Sequence, residues 1–515
     1  MMTKTHTSNT SEHNKRIAKN TLLLYLRMLI TMAVGLFTSR VVLQTLGVSD
    51  YGVFNVVGGV IGMLGYVNTL FASGVSRFLT IGLGENNPLK LKLTFSSTVV
   101  LTLFTALLVL LLGETVGLWF VNSHLNIDSS RMEAVNWVYQ CALLSSVLTI
   151  AQAPYTASII SHERMNIYAY MSIFDAIMKL VIVYLLLIVN YDKLITYAIF
   201  LLLINTIDIF VYRLYCIRKF QECKPSLKCD KQILKEMLSF SGFNMIGSLS
   251  AVCMNYGVNI VINIFFGTVI NAARGVANQI GNVIQQLYSN FQLAGRPQVM
   301  KYYAQGDLQN MFNLMYNNGK YCALLLLCPI IPILVFVDGL LDIWLIEVPE
   351  YSAGFVRLAV LYTFFRSLDE PLTVGIHAVG KMKLPNITSA SLNLMILPLA
   401  YVIYKMGGSP LWGAVLLAAF VPFCTIINFW ILKKYIDFPW KMYLKRVFFP
   451  VGYIAAISSI LPISLLCFVP QNVWTCILCA MLSGVNVCLF VFLLGLTKPK
   501  QKEVINIVLT KLHIR

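Results

Sequence analysis

About fourteen apolar runs, most of them roughly 20 residues or longer, follow one another along this chain, and that succession restricts its fold more than any other feature. They fall at 20–46, 51–79, 93–118, 132–158, 167–189, 193–217, 236–266, 270–293, 314–337, 351–379, 384–404, 409–432, 447–468 and 472–496. A bilayer core about 30 Å thick needs about 20 helical residues to cross it. Backbone N–H and C=O groups have no partner in hydrocarbon, so such segments must be helices. The expected fold is an all-α polytopic membrane protein of about 14 transmembrane helices. Composition agrees: 58% of residues are hydrophobic, 12% are charged and the mean hydropathy is +0.74. Soluble domains carry roughly twice that share of charge.

The net charge of +17 would suit a nucleic-acid partner, but the placement of the cations argues otherwise. With the N-terminus inside, the inner segments hold Arg218, Lys219, Lys224, Lys228, Lys231 and Lys235, then Arg296 and Lys301, then Lys433, Lys434, Lys441, Lys445 and Arg446, among others. The outer segments hold only Arg131, Lys193 and Lys405. That asymmetry is the positive-inside pattern and predicts both termini in the cytoplasm. Residues 1–19 are polar, and the run from Thr21 to Leu46 exceeds a signal-peptide core, so 1–19 reads as a cytoplasmic N-terminal tail. The basic segment 218–235 reads as a cytoplasmic linker between an N-lobe, 20–217, and a C-lobe, 236–432. Residues 433–496 hold two further spans, and 497–515 form a cytoplasmic C-terminal tail. A short repeat supports two halves: Leu46-Gly47 followed by Gly52-Val53 resembles Phe266-Gly267 followed by Gly275-Val276.

Polar residues at membrane depth fall into stripes. At 100° per residue, Asn20, Arg27, Thr31, Thr38 and Thr45 share one face of the first span. Asn55, Tyr66, Thr69, Ser73 and Arg77 share a face of the second with Gly59 and Gly62. The seventh carries Ser241, Asn244, Ser248, Asn255 and Asn259, and the eighth Asn271, Arg274, Asn278, Asn282, Gln285, Ser289 and Gln292. Such stripes can hold helices together. Four of them on the first two spans of each half also suit the walls of a wet cavity, and three carry arginine.

Other intramembrane charges mark candidate coupling or gating groups, because ionised side chains in lipid are costly. Asp175 and Lys179 lie one helical turn apart and can pair, whereas Asp208 has no obvious local partner. Arg366, Asp369, Glu370, Thr373 and His377 share a face interrupted by Pro371, with Arg366 and Glu370 spaced to pair. No HExxH, P-loop or GxSxG motif occurs, and no two histidines have metal-ligand spacing, so the chain is not expected to be an enzyme. Cys476 and Cys479 have CxxC spacing but sit inside an apolar run, where buried small side chains are the ordinary reading.

The segment Asn20-Thr21-Leu22-Leu23-Leu24-Tyr25-Leu26-Arg27 through Ser39-Arg40-Val41 resembles the polysaccharide biosynthesis proteins of the Wzx flippase type. So does Leu46-Gly47-Val48-Ser49-Asp50-Tyr51-Gly52-Val53-Phe54-Asn55, an LG…DYG turn before a glycine-rich second span. The resemblance implies the MATE-like fold of the MOP exporter superfamily: two six-helix lobes around a central cavity, plus two C-terminal helices. It implies a cargo of undecaprenyl-diphosphate-linked oligosaccharide, such as an O-antigen, capsule or exopolysaccharide repeat unit, moved across the bacterial inner membrane by alternating access. Arg27, Arg77 and Arg274 are the positions that fit recognition of a diphosphate or acidic sugar, with Asn55, Asn255, Asn278 and Gln285 as further lining residues. A polysaccharide polymerase and glycosyltransferases would be partners, alongside membrane lipid. No cofactor is expected. With no nucleotide motif, energy would come from Na+ or H+ coupling, membrane potential or downhill flow. The alternatives are a cation-coupled multidrug exporter of the same superfamily and, in another class, a membrane glycan polymerase or ligase. The latter typically needs a sizeable outer loop.

Overall fold

The computed structural model describes residues 4–65, 79, 88–162, 164–224, 229–381, 383–469, 472–496, 498–499 and 501–502. Among them there are helices and turns but no strand. Among the described residues, eleven helices are long and apolar enough to cross a membrane. Two of these are double crossings, each broken at one glycine. The helix Ser352–Val379 is of similar length, 28 residues, but carries Arg357, Arg366, Asp369 and Glu370.

The first double helix, α1, is Lys4–Gly65, broken at Gly47 with φ 80 and ψ 168. Next come α2 (Pro88–Leu112), a π turn at Gly113–Gly117, α3 (Leu118–His124), α4 (Met132–Ser161), α5 (Met165–Ile188) and α6 (Lys193–Lys219). The second double helix, α7, is Lys231–Ala304, broken at Gly267 with φ 76 and ψ −168. Both glycines occupy a region essentially closed to residues with a Cβ. They are the leading glycines of the two copies of the sequence repeat, so the repeat coincides with a repeated backbone break. The chain continues through α8 (Leu308–Trp344), α9 (Ser352–Val379), α10 (Lys383–Lys405), α11 (Trp412–Ile436), α12 (Trp440–Tyr443), α13 (Phe449–Phe468) and α14 (Val473–Phe490).

Two compact units emerge, Met1–Ala272 and Ala273–Arg515. In the first, Val53, Val56, Val57 and Val60 of α1 pack on Val135, Val138, Tyr139 and Leu143 of α4 and on Leu194 and Ala198 of α6. Tyr139 is fully buried and its hydroxyl donates to the Gly113 carbonyl at 2.7 Å. That bond serves the π turn, whose widened backbone frees carbonyls. The break after α1's first crossing is also fixed: a Cβ on Gly52 would overlap the Thr268 carbonyl. Only glycine lets these two backbones approach so closely.

In the second unit, Met311, Met315, Leu324 and Leu327 of α8 form a core with Leu368 and Leu372 of α9 and Phe429 and Leu432 of α11. Val447, Val451 and Ile454 extend that core into the start of α13. Cys476 and Cys479 of α14 are buried beside Phe336 of α8, as packed side chains.

Candidate functional site

In the first unit the expected site residues separate into ties and open positions. Arg27 is half-buried on α1, and its Nη1 donates to Ser172 Oγ on α5 at 3.3 Å. Asp175 lies one turn beyond Ser172 and accepts from Lys179 Nζ at 2.7 Å, the pairing their spacing predicts. Asp208, on α6, lies within the electrostatic reach of both. Its Oδ1 is buried with no hydrogen-bond partner among the described residues. Arg27, Asp175, Lys179 and Asp208 thus lie along adjoining helices. Their sequence separation hides this.

The asparagines bind helix to helix. Asn271 Nδ2 donates to both the carbonyl and the Oδ1 of Asn259 at 2.8 Å. Asn259 Nδ2 donates to the Asn55 carbonyl at 3.2 Å. The Asn55 side chain turns back to the Tyr51 carbonyl at 2.7 Å. Asn263 Oδ1 accepts from the backbone N–H of Asn126 at 2.9 Å. Asn259, Asn263 and Asn271 are therefore packing residues. Asn255, by contrast, is exposed on the same helix, its amide bonded to the Ala251 carbonyl at 3.1 Å.

The eighth-span stripe divides similarly within the second unit. Arg274 is 4% exposed, with the Tyr404 phenol in electrostatic reach. Asn278, Asn282 and Gln285 are exposed, and Gln292 is buried again. Arg77, with Tyr66, Thr69 and Ser73, lies outside the described residues, as do the side chains of Asn20, Ser241, Asn244 and Ser248.

The charged face of α9 gathers more than its own residues. Arg366 Nη1 binds Asp369 at 2.8 Å, and its Nη2 stands 3.9 Å from Glu370. Glu370 takes its shorter pair, 2.6 Å, from Arg296 on α7. Asn428 Nδ2 of α11 donates to the other Asp369 oxygen at 2.8 Å. The pattern of apolar runs places Arg296 in an inner loop. The helix instead runs on to Ala304, which keeps Arg296 on the face of Gln292 one turn before it. Continuing the helical period past Gln292 is the signal that would have found it. The cluster holds two guanidinium groups against two carboxylates, so it is internally neutral, as a buried ionic group must be to persist. Arg357 likewise pairs, with Asp338 at 2.6 Å.

The first unit also carries ties at the ends of its crossings. Arg131, at the head of α4, holds Asp50 through Nε at 3.0 Å and Asp192 through Nη1 at 2.6 Å. Burial pushes the Asp192 carboxyl up, but Arg131 and the N–H groups of Ile195 and Leu194 outweigh it and hold it below the usual range. At the other end, His162 Nε2 lies 2.6 Å from Glu222 Oε1, and the imidazole stacks on Phe220 with ring centroids 4.0 Å apart.

The described residues thus form a polytopic helical protein with glycine breaks in its first and seventh helices and neutralised charge clusters on its long helices. Its backbone is similar to that of a structure titled lipid II flippase MurJ, inward closed conformation, with a TM-score of 0.66, 13% identity, and 91% of this chain and 98% of that one covered. A multidrug resistance MATE family transporter of the MOP superfamily in an inward-facing conformation matches with a TM-score of 0.60, 13% identity and 80% and 94% coverage. The MATE multidrug transporter DinF-BH matches with a TM-score of 0.60, 15% identity and 82% and 95% coverage. No curated protein sequence matches the chain. The family model described as polysaccharide biosynthesis protein matches residues 17–294, more than half of the sequence, and the chain belongs to that family.

Proposed function

We propose that this protein is a flippase, not an enzyme, that carries an undecaprenyl-diphosphate-linked oligosaccharide across the bacterial inner membrane. The family match carries the reading: it spans residues 17–294 and so contains Arg27, Asn55, Asn255, Arg274, Asn278 and Gln285. A diphosphate and sugars cannot cross hydrocarbon unaided. Guanidinium groups offer a fixed fork of donors to phosphate oxygens, while the polyprenyl tail stays in lipid. Alternating exposure of the head group to the two sides completes the cycle. Both termini lie in the cytoplasm on this reading, following the distribution of Lys and Arg. No cofactor is required. Na+ or H+ coupling would engage the carboxylates Asp208, Asp369 and Glu370. A polymerase and glycosyltransferases would act on either side of the transport step.

The MATE structures support a second reading, a cation-coupled drug exporter. The arginines favour an anionic cargo over a cationic one. Export of surface glycan by cells carrying Arg27→Ala or Arg274→Ala tests the proposal. Glycan is lost while the protein still inserts; unchanged surface polysaccharide would refute it.

A further inference from the structure

The turn joining α11 to α12 carries the densest group of cations among the described residues. Lys433 and Lys434 end α11, Lys441 lies in α12, and Lys445 and Arg446 lie in the π turn Leu444–Phe448 that leads into α13. All of these are exposed, and Asp437 is the one acid between them. Arg446 is engaged, donating to Asn313 Oδ1 at 2.9 Å and lying over the Tyr316 ring. No ion pair among the described residues occupies Lys433, Lys434, Lys441 or Lys445.

The turn is a rigid platform rather than a loose loop. Phe438 is 1% exposed and sits under the turn, its ring 6.4 Å from Phe429 and 6.0 Å from Tyr443. The Tyr443 hydroxyl donates to the Leu368 carbonyl at 2.8 Å. These contacts tie the end of α11 and the start of α13 to one core, so their lysines form one patch.

Below the cations, each helix continues into an exposed apolar lane. On α11, Lys434 lies over the Trp430 ring at 5.3 Å, and exposed Ile426 and Phe423 follow on the same face. On the other side, Lys445 is followed one turn on by Phe449, 72% exposed, and then by Tyr453, 60% exposed. Cations at the water side, aromatic rings at the level of the headgroups and apolar side chains beneath match the layered chemistry of one phospholipid molecule.

We propose that this patch is a binding site for an anionic phospholipid of the adjacent leaflet, with Lys433, Lys434, Lys441 and Lys445 facing its phosphate. The site uses none of the arginines of the proposed transport pathway and does not depend on what is transported. The purified full-length protein in neutral detergent is titrated with phosphatidylglycerol, with phosphatidylcholine and with inorganic pyrophosphate. Retained lipid is counted by native mass spectrometry and the unfolding temperature recorded. Phosphatidylglycerol binds as a discrete adduct and raises the unfolding temperature; phosphatidylcholine does neither. The variant Lys433→Gln, Lys434→Gln, Lys441→Gln, Lys445→Gln weakens that binding by about tenfold or more, since each surface cation adds to the attraction. A charge-matched control, Lys90→Gln, Lys92→Gln, Lys231→Gln, Lys235→Gln, keeps it. The pair Lys441→Gln, Lys445→Gln gives an intermediate loss and serves if the fourfold variant does not fold. Equal weakening in the control, no preference over phosphatidylcholine, or competition by pyrophosphate at equal strength would each overturn the proposal.

Discussion

Glu370 lies 2.6 Å from Arg296 and 3.9 Å from Arg366, so its principal partner comes from another helix rather than from its own. The 2.8 Å pair of Arg366 is with Asp369, which Asn428 supports from α11. The C-terminal part of α7, α9 and α11 are thereby joined through four charged side chains and one amide.

Removing one member should cost more than removing two. Arg296 is partly open to solvent, so its own Coulombic gain is screened. The cost arises from the buried carboxylate left behind, about 1–3 kcal/mol for Arg296→Gln. Adding Glu370→Gln should restore part of that stability. Thermal unfolding of the two single variants and the double variant in detergent gives the coupling. Additive losses would mean that the two side chains do not interact.

Gly52 and Gly58 should respond oppositely to alanine. At Gly52 the new methyl would meet the Thr268 backbone, which cannot move aside as a flexible side chain could. Gly52→Ala should lower stability by about 1–3 kcal/mol, the range for overpacking. Nothing lies within 4 Å of a Cβ at Gly58, so Gly58→Ala should be neutral or stabilising by up to about 1 kcal/mol. Unfolding midpoints of the two variants decide it.

Arg131 should not be replaceable by lysine. Its fork reaches Asp50 and Asp192 together, whereas an ammonium is a single point charge. Arg131→Gln should cost about 1–3 kcal/mol, because it leaves two carboxylates facing one another. Arg131→Lys should recover only part. The midpoint of thermal unfolding reads both, and full recovery by lysine would remove the argument from fork geometry.

The contact of Glu222 with His162 should weaken in acid. Burial pushes the Glu222 carboxyl up, but the hydrogen bond to His162, its own backbone N–H and the His162 charge hold it below the usual carboxylate range. A lowered carboxyl stabilises the fold when ionised, so its contribution is complete above the unfolded value and disappears as pH falls through the folded one. Wild type should therefore exceed Glu222→Gln in unfolding temperature at neutral pH. The gap should close as the pH drops through and below the ordinary carboxylate range. A gap that widens in acid would reverse the sign.

The crossings were legible in the sequence because lipid permits few alternatives: an apolar run of sufficient length must be a helix. The repeat around Gly47 and Gly267 was legible too, and the structure adds that both glycines break the backbone in the same way. The polar stripes were less informative. Periodicity tells which residues share a face but not what lies opposite that face. Asn259 and Asn271 therefore looked like Asn255, although the first two are bonded to each other and buried and the third is exposed. Arg296 was missed for a related reason: a basic residue after an apolar run reads as loop unless the helical period is carried onward.

The central claim is tested most directly in proteoliposomes holding the purified full-length protein and an undecaprenyl-diphosphate-linked oligosaccharide. A membrane-impermeant glycosidase outside the vesicles measures how much glycan becomes accessible over time. Wild-type protein should raise that fraction above protein-free vesicles, and Arg27→Ala and Arg274→Ala should return it toward the protein-free level. Wild-type vesicles indistinguishable from empty ones, with the protein folded and inserted, would contradict the account.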